Sequence, residues 1–236
     1  MKQQIEGLFL NAQSYTESSV IIHLFTKQYG RQSFFFKGVK KKNHPYIFQP
    51  FHFIEFTSNF DPDKTLNSGS SPALIIPFHE ITNDIRKVSI ALFLTEVMYY
   101  LLKEGAYSPL LYPYLERSIT LFDKQPFYPD FHLIFLVNLL SFLGIQPKNN
   151  YSSFNQYFSI SEAQFVKDSN SLLCEAKLSA TFFNLLGTEI DALSNLQTDK
   201  KLRNDLIELL FKYLEIHFQF NAKNITSHKI LKTIFN

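Results

Sequence analysis

The chain has 236 residues, 45% of them hydrophobic and 16% aromatic, with 26 Phe and no Trp. That is enough apolar material for one large domain or two small ones, and it excludes a disordered or low-complexity chain. The formal net charge is only +2, so any electrostatic signal must lie in how the charges are distributed.

They are distributed unevenly. Residues 1–60 carry seven basic groups (Lys2, Lys27, Arg31, Lys37, Lys40, Lys41, Lys42) against Glu6, Glu17 and Glu55, and the rest of the chain has more acids than bases. No carboxylate stands between Glu17 and Glu55. A basic N-terminal part on a near-neutral body points to a localised anion-binding face. Cys174 is the sole cysteine, which excludes an intramolecular disulfide and a cysteine-based zinc site. The opening MKQQIEGLFL lacks the apolar core of a signal peptide, and the most apolar run, residues 133–143, is too short to span a bilayer. The expected localisation is cytoplasmic.

Taken in chain order, the first 80 residues read as five short strands, at 5–12, 18–26, 32–39, 48–57 and 66–78. β-branched and aromatic runs alternate with turn signals such as Tyr29-Gly30. The NSGSSP stretch beginning at Asn67 reads as either a loop or a bulge. Five strands in this length suit a small closed or partly open barrel, because closure removes exposed edges. After Pro77 the period changes. Val88, Leu92, Thr95, Tyr99 and Leu102 recur at helical spacing, predicting a helix from Thr82 or Asn83 to Lys103. Further helices are predicted at 109–122, 129–143, 179–186, 199–218 and 226–235, with Gly144 as a C-terminal cap and Pro147 beyond it. Residues 148–176 read as an irregular insertion with a short hairpin around YFSISEAQFV. The fold class is α+β, with a barrel domain over 1–80 and an α-helical domain over 81–236.

The stretch GRQSFFFKGVKKK, residues 30–42, carries the functional question. On a strand, Arg31, Ser33, Phe35 and Lys37 share one face, and Gln32, Phe34 and Phe36 the other. A barrel that buries Phe34 and Phe36 leaves Arg31, Phe35 and Lys37 outside, with Lys40, Lys41 and Lys42 extending the charge into the next loop. Cations for phosphates beside a flat ring for bases is what single-stranded nucleic acid requires. The plainer reading is that lysines after a strand only solubilise its edge, and that Phe35 is packing.

The run from Gly7 to Lys42 resembles the N-terminal segment of the RecO family of bacterial DNA repair proteins. The resemblance is carried by Tyr15-x-Glu17-Ser18, Leu24-Phe25-Thr26, Gly30-Arg31, Lys37-Gly38 and Lys40-Lys41. It extends more loosely through Leu143-Gly144-x-x-Pro147, the segment 157–165, Tyr213-Leu214-Glu215-x-His217 and Leu231-Lys232. The resemblance implies an OB-fold barrel followed by a helical domain, and a role in recombinational repair. It implies binding of single- and double-stranded DNA, annealing of complementary strands and, with RecR, help in loading RecA on strands coated by single-strand-binding protein (SSB). The helical domain is implied to receive the C-terminal tail of SSB in an apolar groove flanked by basic side chains, for which Arg117, Lys124 and Lys212 are candidates. Many family members carry paired cysteines for zinc in the central insertion. Here only Cys174 is present, and a tetrahedral site needs four ligands. No metal or other cofactor is expected, and Tyr151, Phe154, Tyr157, Phe158 and Phe165 are expected to hold the insertion by packing.

No catalytic motif appears: there is no phosphate loop, G-x-S-x-G or H-E-x-x-H. His79, Glu80 and Asp84 sit where capping is expected, His23 and His52 lie within strands as packing residues, and Asp61-Pro62-Asp63 is turn chemistry. Cys174 has no evident base partner, and His217, within a long predicted helix, reads as a packing or capping residue. The chain therefore reads as a non-enzyme. An RNA-binding OB protein and a purely protein-binding scaffold are the alternatives, the latter leaving the cations between Lys27 and Lys42 without a role.

Overall fold

The computed structural model describes residues 2–39, 45–104, 107–167, 174–192, 196 and 198–235. By compactness the chain divides into two units, residues 1–124 and 125–236. The change from strand to helix comes earlier than this division, so the first unit contains the barrel together with its first three helices.

The barrel consists of β1 (Gln3–Ser14), β2 (Val20–Thr26), β3 (Gly30–Phe36), β4 (Phe53–Ser58) and β5 (Asn67–Leu74), closed in the order β1-β2-β3-β5-β4. β3 pairs with β5 in parallel and every other pair is antiparallel. This is the OB-fold barrel. Its interior is apolar and ring-rich. Ile5, Ile22, Leu24, Phe34, Phe36, Ile54 and Phe56 are all buried. Phe34 and Phe36 meet Phe56 edge-on at 4.6 and 5.2 Å, and Tyr29 stacks on Phe60 at 4.0 Å against the same core. Edge-to-face geometry is the arrangement the ring quadrupoles favour.

Two strands differ from the sequence expectation. β4 starts at Phe53 rather than at residue 48. Residues 45–47 form a 3-10 turn, and Phe51 is left-handed (φ 66°), which no continuous strand allows. The NSGSSP stretch is the body of β5, with a bulge. The register slips between Glu55 and Thr57, and Ser71 takes φ 53°. Gly69 is required in β5 because the Phe36 ring occupies the space a Cβ would fill.

The predicted first helix is the second in the chain, and a short helix comes before it. α1 (Glu80–Asn83) stops where Asp84 becomes extended, and α2 (Ile85–Leu101) begins with the Asp84 carboxylate accepting from the Arg86 backbone N–H at 2.9 Å. The cap is thus Asp84, not Thr82 or Asn83. α3 (Leu111–Lys124) completes the first unit. Asp123 on α3 accepts from the Ile81 N–H, and its carbonyl accepts from the buried Lys87 ammonium at 3.0 Å, tying the three helices together. Phe53 packs edge-on against Tyr112, and Phe51 against Phe122, so α3 covers one flank of the barrel.

The second unit contains α4 (Phe131–Phe142), a hairpin of β6 (Tyr157–Ser159) and β7 (Gln164–Val166), α5 (Ala176–Leu186), α6 (Lys200–His217) and α7 (Ser227–Ile234). α4 is buried on nearly every face. It ends in a Schellman cap at Gly144 (φ 72°): Ile145 N–H donates to Leu140 and Gly144 N–H to Ser141. Asp130 precedes α4 without capping it. Its carboxylate instead accepts from the Thr198 hydroxyl and N–H and from Arg203 Nε at 2.6 Å, a buried ion pair that anchors α6 to α4.

The insertion is held by rings. Phe158 contacts Phe165, Phe182 and Tyr213, while Tyr151 stacks on Phe183 at 4.7 Å and meets Phe165 edge-on. Phe154 departs from the expectation: it is 73% exposed, on a tight Ser152–Asn155 turn. Tyr157 is half-buried at the strand edge. Among the described residues no cluster of three or more His, Cys, Asp or Glu is arranged to hold a metal ion. The single Cys174 is buried, and burial pushes its thiol up to about 11. These residues do not fit a zinc site. Among the described residues no helix is long and apolar enough to cross a membrane.

Candidate nucleic-acid interface

The outer face of β3 is set by the pairing that buries Phe34 and Phe36. Phe35 lies between Ile21 on β2 and Ser68 on β5, with its ring half-exposed. The β1–β2 loop lies beside it. Thr16 Oγ1 accepts from the Ser19 N–H at 3.1 Å, and the Tyr15 and Thr16 N–H groups both donate to the Ser19 carbonyl. That closed loop projects Tyr15, which is 63% exposed and edge-on to Phe35 at 5.4 Å with planes at 81°. Two residues along the same face, Lys37 is exposed and has no ion-pair partner among the described residues. The result is an aromatic pair beside an available cation, on the side of the barrel formed by strands 2 and 3 and the first loop. OB folds hold oligonucleotides on that side.

Other predicted residues are placed differently. Arg31 is not on the open face. Its guanidinium donates to the Tyr99 carbonyl at 2.6 Å and the Leu102 carbonyl at 2.7 Å and lies over the Tyr99 ring at 4.4 Å. It satisfies the orphan carbonyls at the C-terminus of α2, where a cation also complements the helix dipole. Arg31 is therefore a clamp between barrel and helix rather than a phosphate contact. The same junction holds His23, whose Nδ1 meets Ser33 Oγ at 2.9 Å, while Ser33 donates to Glu104 at 3.0 Å. Burial and the nearby Arg31 charge lower the His23 pKa, which keeps this junction neutral at the imidazole. Lys27 is paired with Glu6 at 2.8 Å. Lys40, Lys41 and Lys42 lie outside the described residues.

Tyr15 is the residue that reading for charge and alternation passed over. It stood in the Tyr15-x-Glu17-Ser18 element, and the loop that projects it is closed by Thr16 and Ser19.

In the second unit, a groove of about 380 Å³ runs between α5 and α6. Its floor is Ile160, Leu178 and Leu209, and its rim carries Lys201 and Lys212 together with Asp205 and Glu208. Lys212 thus lines a groove, while Arg117 and Lys124 are exposed on α3 of the first unit. The Glu208 carboxylate is engaged by Lys232 at 2.8 Å.

Comparison with known proteins agrees with this architecture. Residues 1–77 match the family model described as Recombination protein O N terminal, and residues 82–224 match Recombination protein O C terminal. The chain belongs to the RecO family. It is 32% identical to a DNA repair protein RecO of Phocaeicola vulgatus over 170 residues, 70% of each chain. It is 26% identical to one of Christiangramia forsetii over 235 residues, 98% of each, and 25% identical to one of Flavobacterium psychrophilum over the full length of both. RecO proteins are a recombinational DNA repair family, not one of known catalytic enzymes. The boundary between the two RecO family models coincides with the change from strands to helices, whereas the compact first unit extends through α3.

Proposed function

We propose that this protein is a non-catalytic mediator of recombinational repair in the cytoplasm. It binds single- and double-stranded DNA on the outer face of β2 and β3. Tyr15 and Phe35 contact bases, while Lys37 and the lysines at 40–42 contact phosphates. The observation that carries this reading is the Tyr15–Phe35 pair at the surface beside Lys37, which is exposed and has no ion-pair partner among the described residues. Stacking on exposed rings is tolerant of sequence, and neutralising phosphates on two strands lowers the repulsion that opposes annealing. Acting with RecR, the protein would then help RecA load on SSB-coated strands. The groove between α5 and α6, whose apolar floor is rimmed by Lys201 and Lys212 together with Glu175, Asp205 and Glu208, is the surface of the second unit to test for the tail of SSB.

The test is annealing of complementary oligonucleotides, free and SSB-coated, by the wild type and a Tyr15→Ala/Lys37→Gln variant. Both side chains are exposed, so the variant folds. Loss of annealing on both substrates supports the reading. Unchanged annealing removes this face from the mechanism.

A further inference from the structure

The outer face of β2 and β3 is not open along its whole length. The register sets Ile21 opposite Phe35, His23 opposite Ser33 and Phe25 opposite Arg31. Ile21 and Phe35 are half-exposed, whereas His23 and Ser33, the next pair along, are buried. The cover over that second pair is the chain leaving α2. Leu102 turns extended (ψ 104°), and Arg31 binds the carbonyls of Tyr99 and Leu102. Glu104 then makes a parallel β-bridge with Arg31 at the edge of β3. β5 pairs with β3 at Phe34, Phe35 and Phe36, which leaves the Arg31 end of that edge to this segment.

The segment ends in a carboxylate that is held in place. The Ser33 hydroxyl donates to Glu104 Oε1 at 3.0 Å, and the backbone bridge fixes the same residue. Glu104 is exposed and has no ion-pair partner among the described residues, while the adjacent Lys103 is engaged by a different group. Ser33 and Phe35 are two residues apart, about 7 Å along the strand. That is inside the Debye length of about 10 Å at 0.1 M salt, so a phosphate beside Phe35 feels the Glu104 charge. Lys37, two residues beyond Phe35 on the same face, attracts from the other side. A fixed acid at one end of the Phe35 ring and a cation at the other give the face a direction.

We infer that Glu104 is the stop of the nucleic-acid face: a bound single strand lies over Tyr15, Phe35 and Lys37 and is turned off the barrel before Ser33, because its next phosphate would meet the held carboxylate. The inference rests on the proposed binding of single strands by the outer barrel face, and it assigns that face its boundary. The face then holds only a short stretch of strand. The remaining bases stay free to pair with a complement, which suits annealing.

The test is anisotropy of labelled oligothymidines of increasing length, titrated at low and high salt with wild type, Glu104→Lys, Glu104→Gln and Lys37→Gln. Glu189→Lys, an exposed site in the second unit, controls for the added charge alone. Glu104→Lys should bind about tenfold tighter at low salt, with a slope of log affinity against log salt steeper by about 0.7, one more phosphate contact. Its affinity should also keep rising to longer oligothymidines than that of wild type. Glu104→Gln keeps an acceptor for Ser33 and carries the test if the lysine variant does not fold; it should bind about threefold tighter at low salt and equally at high salt. Wild-type slope, affinity and length dependence in both Glu104 variants, with a shallower slope in Lys37→Gln, overturn the stop and leave the face standing. Equal gains from Glu104→Lys and Glu189→Lys also overturn it, since net charge alone would then explain them. A wild type that binds no single strand, or a slope unchanged in Lys37→Gln, overturns the face itself and the stop with it.

Discussion

Acidification should loosen the second unit through one residue, His132 on α4. Its ring is 2% exposed, and burial first, then the Arg203 charge, lowers its pKa from 6.5 to about 3, while the Pro129 carbonyl pulls the other way and the His228 charge adds a smaller push down. The folded chain thus holds His132 neutral. Below pH 6.5 the unfolded chain binds a proton that the folded chain refuses, so the stabilisation is complete above that pH and is lost progressively as pH falls toward about 3. At about 1.4 kcal/mol per unit, going from about pH 7.5 to about pH 5 costs about 2 kcal/mol from this residue alone. The groups facing the ring support this: Phe235 lies against it at 6.2 Å, and the Asp130 carboxylate on its own helix is already committed to Arg203 and Thr198. The assay is urea unfolding of wild type and His132→Phe at the two pH values. Wild type should lose about 2 kcal/mol more than the variant, because the other histidines with lowered pKa, His23, His52 and His228, are common to both. Equal losses would refute the reasoning, since they would mean that His132 titrates normally in the fold.

Arg31→Gln should lower stability by about 2 kcal/mol, from two charge-assisted bonds to carbonyls at the end of α2, and should leave the DNA affinity of the folded protein within about threefold; thermal melting and anisotropy check the two halves. Gly69→Ala should cost about 1 to 3 kcal/mol, because the Phe36 ring must move to admit a methyl group, and chemical denaturation measures it. Asp130→Ala should cost about 3 to 5 kcal/mol by leaving Arg203 buried without its partner, with the second unit's fluorescence or circular dichroism transition shifting accordingly.

The strand alternation in 30–37 was legible because period 2 leaves no choice once Phe34 and Phe36 are inside. The fate of Arg31 was not. Its partners lie about 70 positions away at the end of α2, and nothing local distinguishes an arginine that caps a distant helix from one that meets a phosphate. The start of α2 was read one or two residues early, because Thr82 and Asn83 are as good N-cap types as Asp84, and the four-residue α1 before it is too short to show a period. Composition left the NSGSSP stretch of the fifth strand as either a loop or a bulge, and pairing with both β3 and β4 makes it a bulged strand. In the insertion, the aromatic composition correctly implied packing, but it could not say which ring the turn at Ser152 would push out, and that ring is Phe154. The candidate site was therefore half visible. Phe35 and Lys37 follow from alternation, whereas Tyr15 needs the loop closure.

The most direct test of the barrel face is a salt series of fluorescence anisotropy titrations of a labelled single strand with wild type and Lys37→Gln. If Lys37 neutralises a phosphate, the wild-type affinity falls with salt, and the variant's slope of log affinity against log salt is shallower by about 0.7. Identical slopes for the two proteins, or no single-strand binding at low salt, would contradict the account.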